Sequence, residues 1–85
     1  MGSYRVLIKP SAVKEIEDLP KRDRSRVVQR IQRLSLEPRR PGSEKLSGEE
    51  KYRVRQGQFR IVYAIDDAER TVLVVKVGHR RDVYR

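Results

Sequence analysis

The chain has 85 residues, with 21 Lys+Arg against 12 Asp+Glu, a formal net charge of +9 and a hydrophobic share of 36%, enough for one small domain with a thin, two-layer core. It has no cysteine and one histidine, which excludes disulfide frameworks and thiolate nucleophiles and nearly excludes a zinc site. Its longest apolar run, Ile61 to Ile65, is far short of the roughly 20 residues that cross a bilayer, so a soluble, cytoplasmic domain over residues 1–85 is expected, with residues 1–3 disordered or a cloning remnant.

Tyr4 to Lys9 has the pattern of a short strand closed by Pro10, after which Ser11 can cap a helix carrying Ala12, Ile16 and Leu19 on one face. Pro20 ends that helix. A second helix from about Arg22 to Leu36 places Val27, Val28, Ile31 and Leu34 on one side and Arg and Gln on the other, so the two form a helical hairpin. Glu37 to Gly48, with two prolines, two glycines and no periodicity, is a connector. From Tyr52 the period becomes two: Tyr52 and Val54 alternate with Arg53 and Arg55, a turn forms around Gly57, and Phe59, Ile61, Tyr63 and Ile65 alternate with Arg60, Val62 and Ala64. Asp66 to Arg70 turns into a third strand, Thr71 to Val77.

The order strand, helix, helix, three strands gives an α+β fold, a helical hairpin on one face of a small, mainly antiparallel twisted sheet. Parity assigns Leu73, Val75 and Val77 to the face that takes the helices. It gathers Arg53, Arg55, Arg60, Lys76 and, by extension, Arg80 on the other face, although a bulge at Gly78 would send Arg80 across.

Charge distribution then points to a polyanion. Residues 51–65 hold Lys51, Arg53, Arg55 and Arg60 with no acid, and residues 70–81 hold Arg70, Lys76, Arg80 and Arg81 with none, the footprint of nucleic-acid binding. Without a metal or cofactor, such a face can hold an RNA phosphodiester, whose own 2′-OH is the nucleophile, while guanidinium forks neutralise the crowded phosphate. Arginines are poor bases. Proton transfer falls to His79, whose ordinary pKa lies near neutrality, or to Tyr84, which can also stack on a base. Tyr52 and Tyr63 share the apolar parity and are expected in the core.

These pieces also carry a resemblance. Tyr4-Arg5-Val6, Leu19-Pro20, Pro38 to Pro41, Lys45-Leu46-Ser47-Gly48, Tyr52-Arg53-Val54-Arg55, Phe59-Arg60-Ile61-Val62-Tyr63 and Val77-Gly78-His79-Arg80-Arg81-Asp82-Val83-Tyr84 stand in the order and spacing of RelE-type toxins of the RelE/ParE superfamily of toxin-antitoxin systems, and the strand order agrees with their βααβββ core. The resemblance implies an mRNA interferase, an endoribonuclease that cuts mRNA in the ribosomal A site without a metal, and a cognate RelB-like antitoxin, acidic and with an amphipathic helix, through which alone operator DNA is bound. It implies catalytic roles for Arg60, Arg80, Tyr84 and His79 and RNA binding by Arg53, Arg55, Lys45, Lys51, Lys76 and Arg81. Arg53 and Arg55 stand where the best-known members have lysines, which leaves the general base open. Two alternatives remain: a ParE-like inhibitor of DNA gyrase, and a catalytically weak toxin-fold protein that binds only its antitoxin.

Overall fold

The computed structural model describes residues 3–39, 43–46 and 51–79. The elements are β1 (Arg5–Ile8), α1 (Pro10–Glu17), α2 (Lys21–Leu34), β2 (Ser43–Lys45), β3 (Lys51–Gln56), β4 (Phe59–Asp66) and β5 (Thr71–His79). They form one five-stranded sheet in the order β1-β5-β4-β3-β2, with β1 parallel to β5 and every other pair antiparallel.

Pro10 does not close the first strand and leave Ser11 to cap the helix. It is the first helical residue, where its missing N–H costs nothing, and Lys9 occupies the cap position with no side-chain hydrogen bond. Pro20 is the N-cap of α2; in a continued α1 its ring would clash with the Ile16 carbonyl, so α1 stops at Glu17 and the chain turns. Ala12 and Ile16 of α1 and Val27, Ile31 and Leu34 of α2 are buried against Val54, Ile61, Tyr63, Val72, Val74 and Val77 of the sheet. Each aliphatic side chain so buried contributes roughly 1.5–3 kcal/mol. Val28, expected on the same face, is 37% exposed, because the helix meets the sheet along a narrower stripe.

The hairpin between β3 and β4 is tight. Gln56 pairs with Phe59, leaving Gly57 and Gln58 as a two-residue loop in which Gly57 has φ +61° and Gln58 has no positive φ. That is the type II′ pattern, which needs glycine first and matches the twist of the strands.

Two features of the sheet differ from the sequence expectation. The connector contributes a strand: β2 pairs with β3 through Ser43 opposite Val54, Glu44 opposite Arg53 and Lys45 opposite Tyr52, too short a segment to show a period. In β5 the apolar parity changes partway. Val77 lies opposite Ile61 and Lys76 opposite Val62, but Val74 lies opposite Tyr63, so Val75 is an unpaired bulge residue. Before the bulge the even residues Val72 and Val74 are buried and Leu73 is 37% exposed; after it Val77 is buried. The expected Leu73–Val75–Val77 face is therefore wrong for Leu73, and the extra residue is the reason.

Candidate functional site

The face of the sheet away from the helices carries two cross-strand rows. One runs Glu44, Arg53, Val62, Lys76, and the next runs Arg55, Arg60, Gly78. Strand alternation puts Arg53, Arg55 and Arg60 on one side because their neighbours Val54, Ile61 and Tyr63 are held in the core. The bulge at Val75 is what brings Lys76 and Gly78 to that same side.

Arg60 sits at the centre of this face. Its residue exposure is 8%, and among the described residues its side chain makes one hydrogen bond, from Nη1 to the Phe59 carbonyl at 3.3 Å. No carboxylate among the described residues pairs with it. Directly opposite lies Arg55, exposed and also without an ion pair among the described residues, while on the other flank Gly78 presents no side chain. Like charges opposite each other on a sheet repel, and a guanidinium removed from water without a counter-ion is costly. Such an arrangement is preorganised for an anion that accepts forked hydrogen bonds.

The remaining expected residues fall differently. Arg53 is engaged by Glu44 at 2.9 Å, with side-chain exposures of 20% and 65%. Lys51 lies opposite Ala64 at the margin of the face. Lys76 belongs to the face by register, yet its Nζ lies 3.3 Å from Glu15 Oε2 of α1, whose other oxygen accepts the Val77 N–H at 2.9 Å. Lys45 pairs opposite Tyr52 and so has the helix-side parity. His79 pairs opposite Phe59, meets its ring edge-on at 5.9 Å, and has Nε2 3.0 Å from Gln58 Oε1. It therefore has the opposite parity to Arg60. Arg80, Arg81 and Tyr84 lie outside the described residues. Sequence reasoning missed Glu44 and Glu15, since the first needed the pairing of β2 and the second a contact across 62 residues of chain.

At the other end of the sheet a polar cluster fixes the framework. Arg39 donates from Nη1 and Nη2 to both oxygens of Asp67 at 3.0 and 2.9 Å and from Nε to the Tyr52 hydroxyl at 3.1 Å. The Tyr4 hydroxyl donates to Asp67 Oδ1 at 2.6 Å. The Arg39 fork, seconded by Tyr4, lowers the Asp67 carboxyl to about 2, and acceptance by that carboxylate raises the Tyr4 hydroxyl. Tyr63 is fully buried, stacked on Tyr52 at 5.9 Å, and donates to the Pro38 carbonyl at 2.6 Å; burial pushes its hydroxyl up. These three tyrosines hold the structure together. Among the described residues no group of three His, Asp or Glu side chains is arranged to hold a metal ion, and no helix is long and apolar enough to cross a membrane.

Residues 6–84 match the family profile described as the ParE toxin of the type II toxin-antitoxin system parDE, and the chain is 36% identical to the toxin RelG of Mycobacterium tuberculosis over 96% of its length and 97% of that protein's. The chain belongs to the RelE/ParE family of type II toxins. The fold agrees: the toxin superimposes on a chain of the toxin-antitoxin complex RelBE2 from M. tuberculosis with a TM-score of 0.83 at 33% identity, covering 92% of this chain and 99% of that one. The isolated RelE toxin of E. coli gives 0.81 at 26% identity, covering 96% and 92%. The expected βααβββ core is present, with β2 added at the edge. Similar toxins have been crystallised with RelB antitoxins.

Proposed function

We propose that this toxin is an endoribonuclease that cuts mRNA on the ribosome and is held inactive by a RelB-like antitoxin. The observation that carries the reading is the buried Arg60 residue, whose guanidinium has no carboxylate partner among the described residues and is flanked by Arg55 and Gly78. In the reaction the 2′-oxygen attacks the adjacent phosphorus as the bond to the 5′-oxygen breaks. The 2′-OH gives up its proton, the departing 5′-oxygen takes one, and the products are a 2′,3′-cyclic phosphate and a 5′-OH.

Arg60, together with Arg80, neutralises the charge that builds on the non-bridging oxygens, the contribution that usually dominates such catalysis. Arg55, Arg53, Lys51, Lys76 and Arg81 grip the strand on either side. Neither Arg53 nor Arg55 can act as a base, and His79 has the parity opposite to Arg60, so Tyr84 is the side chain we assign to proton movement. The acidic antitoxin would neutralise the same cationic surface. A second reading, a poison of DNA gyrase, is favoured by the ParE description of the matching profile.

Induced expression in bacteria, with primer extension across several transcripts and an assay of gyrase cleavage complexes in the same culture, separates them. Cuts inside reading frames that vanish in Arg60→Gln support the nuclease. Intact transcripts with trapped gyrase support the second reading, and neither signal leaves a toxin fold that only binds its antitoxin.

A further inference from the structure

The candidate site leaves the outer face of α2 unexplained. This helix carries Lys21, Arg22, Arg24, Arg26, Arg30 and Arg33 against a single acid, Asp23, and among the described residues no carboxylate pairs with any of them. A helix kept merely soluble alternates signs so that i and i+4 neighbours attract. Here Arg22 and Arg26, then Arg26 and Arg30, are like-charged at that spacing. Lys21, Arg22 and Arg24 also crowd the first turn, where the helix dipole repels cations. Among the described residues the buried Nε of Arg30 has no hydrogen-bond partner.

Arg22, Arg26, Gln29 and Arg33 fall on one row, Arg22 and Arg26 about 6 Å apart and the whole row about 16 Å long at 1.5 Å rise per residue. Their Cα positions lie far around the helix from Val27, Ile31 and Leu34, which are buried, so the row faces away from the sheet. The Arg55–Arg60 pair lies on the far side of that sheet, in a molecule 24 to 33 Å across. One short segment of RNA cannot lie on both.

We infer that the α2 row is a second RNA surface, which binds the phosphate backbone of duplex RNA while the sheet face holds the single strand to be cut; this rests on the ribosome-directed reading above. Three features select the partner. Guanidinium forks match phosphate oxygens. The row has no aromatic residue on which unpaired bases would stack, as single-strand readers use. It also has no apolar anchor of the kind that an amphipathic protein helix requires.

The test uses the full chain and four probes: a blunt RNA duplex, a DNA duplex of equal length, an unstructured single-stranded RNA and polyglutamate. Wild type should bind the RNA duplex with steep salt dependence. Arg26→Gln/Arg33→Gln should weaken duplex binding at least tenfold and reduce the salt slope by about two, while single-strand binding changes less than twofold and thermal unfolding is kept. A second pair, Arg22→Gln/Arg33→Gln, should act the same way. Duplex binding unaltered by both pairs, a preference of tenfold or more for the DNA duplex, or equally tight binding of polyglutamate would each overturn the inference. Loss of single-strand binding or cleavage in wild type, with duplex binding intact and dependent on α2, would count against the nuclease reading and leave this surface standing.

Discussion

Glu44 and Arg53 face each other across the β2–β3 ladder, carboxylate and guanidinium 2.9 Å apart, so one cation of the basic face is already answered from within the chain. An RNA phosphate must displace Glu44 to use Arg53 fully. Glu44→Gln should therefore tighten single-stranded RNA binding several-fold at low salt and steepen log K against log salt by about 0.7. Fluorescence titrations at three salt concentrations check this, and unaltered affinity and slope would show that Arg53 takes no part in the grip.

A buried cation kept for a ligand should weaken the free protein. Arg60→Met keeps an unbranched apolar stem and removes the charge, so it should raise stability by about 1 kcal/mol while RNA binding falls. For a domain of this size that is roughly 4–8 °C in Tm. A lower Tm would mean that the guanidinium has a stabilising role.

The Glu15 carboxylate accepts from the Val77 N–H beside the bulge and from Lys76. It stands where β1 has ended and β5 has lost its neighbour. Glu15→Ala should cost about 1 to 2 kcal/mol and speed hydrogen exchange at the Val77 amide more than at Val72. Glu15→Gln keeps an acceptor and should recover most of that protection. Equal exchange in all three proteins would remove the contact from the account.

Acid stability should report Asp67. Its carboxyl is lowered from the ordinary value of 3.8 to about 2 by the Arg39 fork, so the unfolded chain binds the proton more readily than the folded one. The stabilisation is present above pH 4 and lost as pH falls toward 2. Asp67→Asn should flatten that part of the curve, measured by thermal unfolding between pH 5 and 2. The same slope in wild type and variant would contradict it.

Much of this was legible in the sequence. The helical hairpin followed from Ala12, Ile16, Val27, Ile31 and Leu34 at helical spacing, and the basic face from Arg53, Arg55 and Arg60 alternating with Val54 and Ile61. What was not legible depended on events with no local signal. Ser11 looked like a cap, but proline supplies the first helical residue so well that Pro10 starts the helix two positions earlier. The bulge at Val75 lies within a run of four β-formers, Val72 to Val75, whose composition is indifferent to facing, so only packing against Tyr63 and Ile61 sets the register. Lys45 was expected to bind RNA, and it has the parity opposite to the basic face because β2 enters the sheet in a register that only pairing with β3 defines.

The most direct test of the central claim is single-turnover cleavage of mRNA on purified, programmed ribosomes by wild type and Arg60→Gln, with folding of both verified. The account predicts cleavage by wild type and a rate lower by about 10² to 10³ in the variant. Equal rates, or no cleavage by folded wild type, would contradict it.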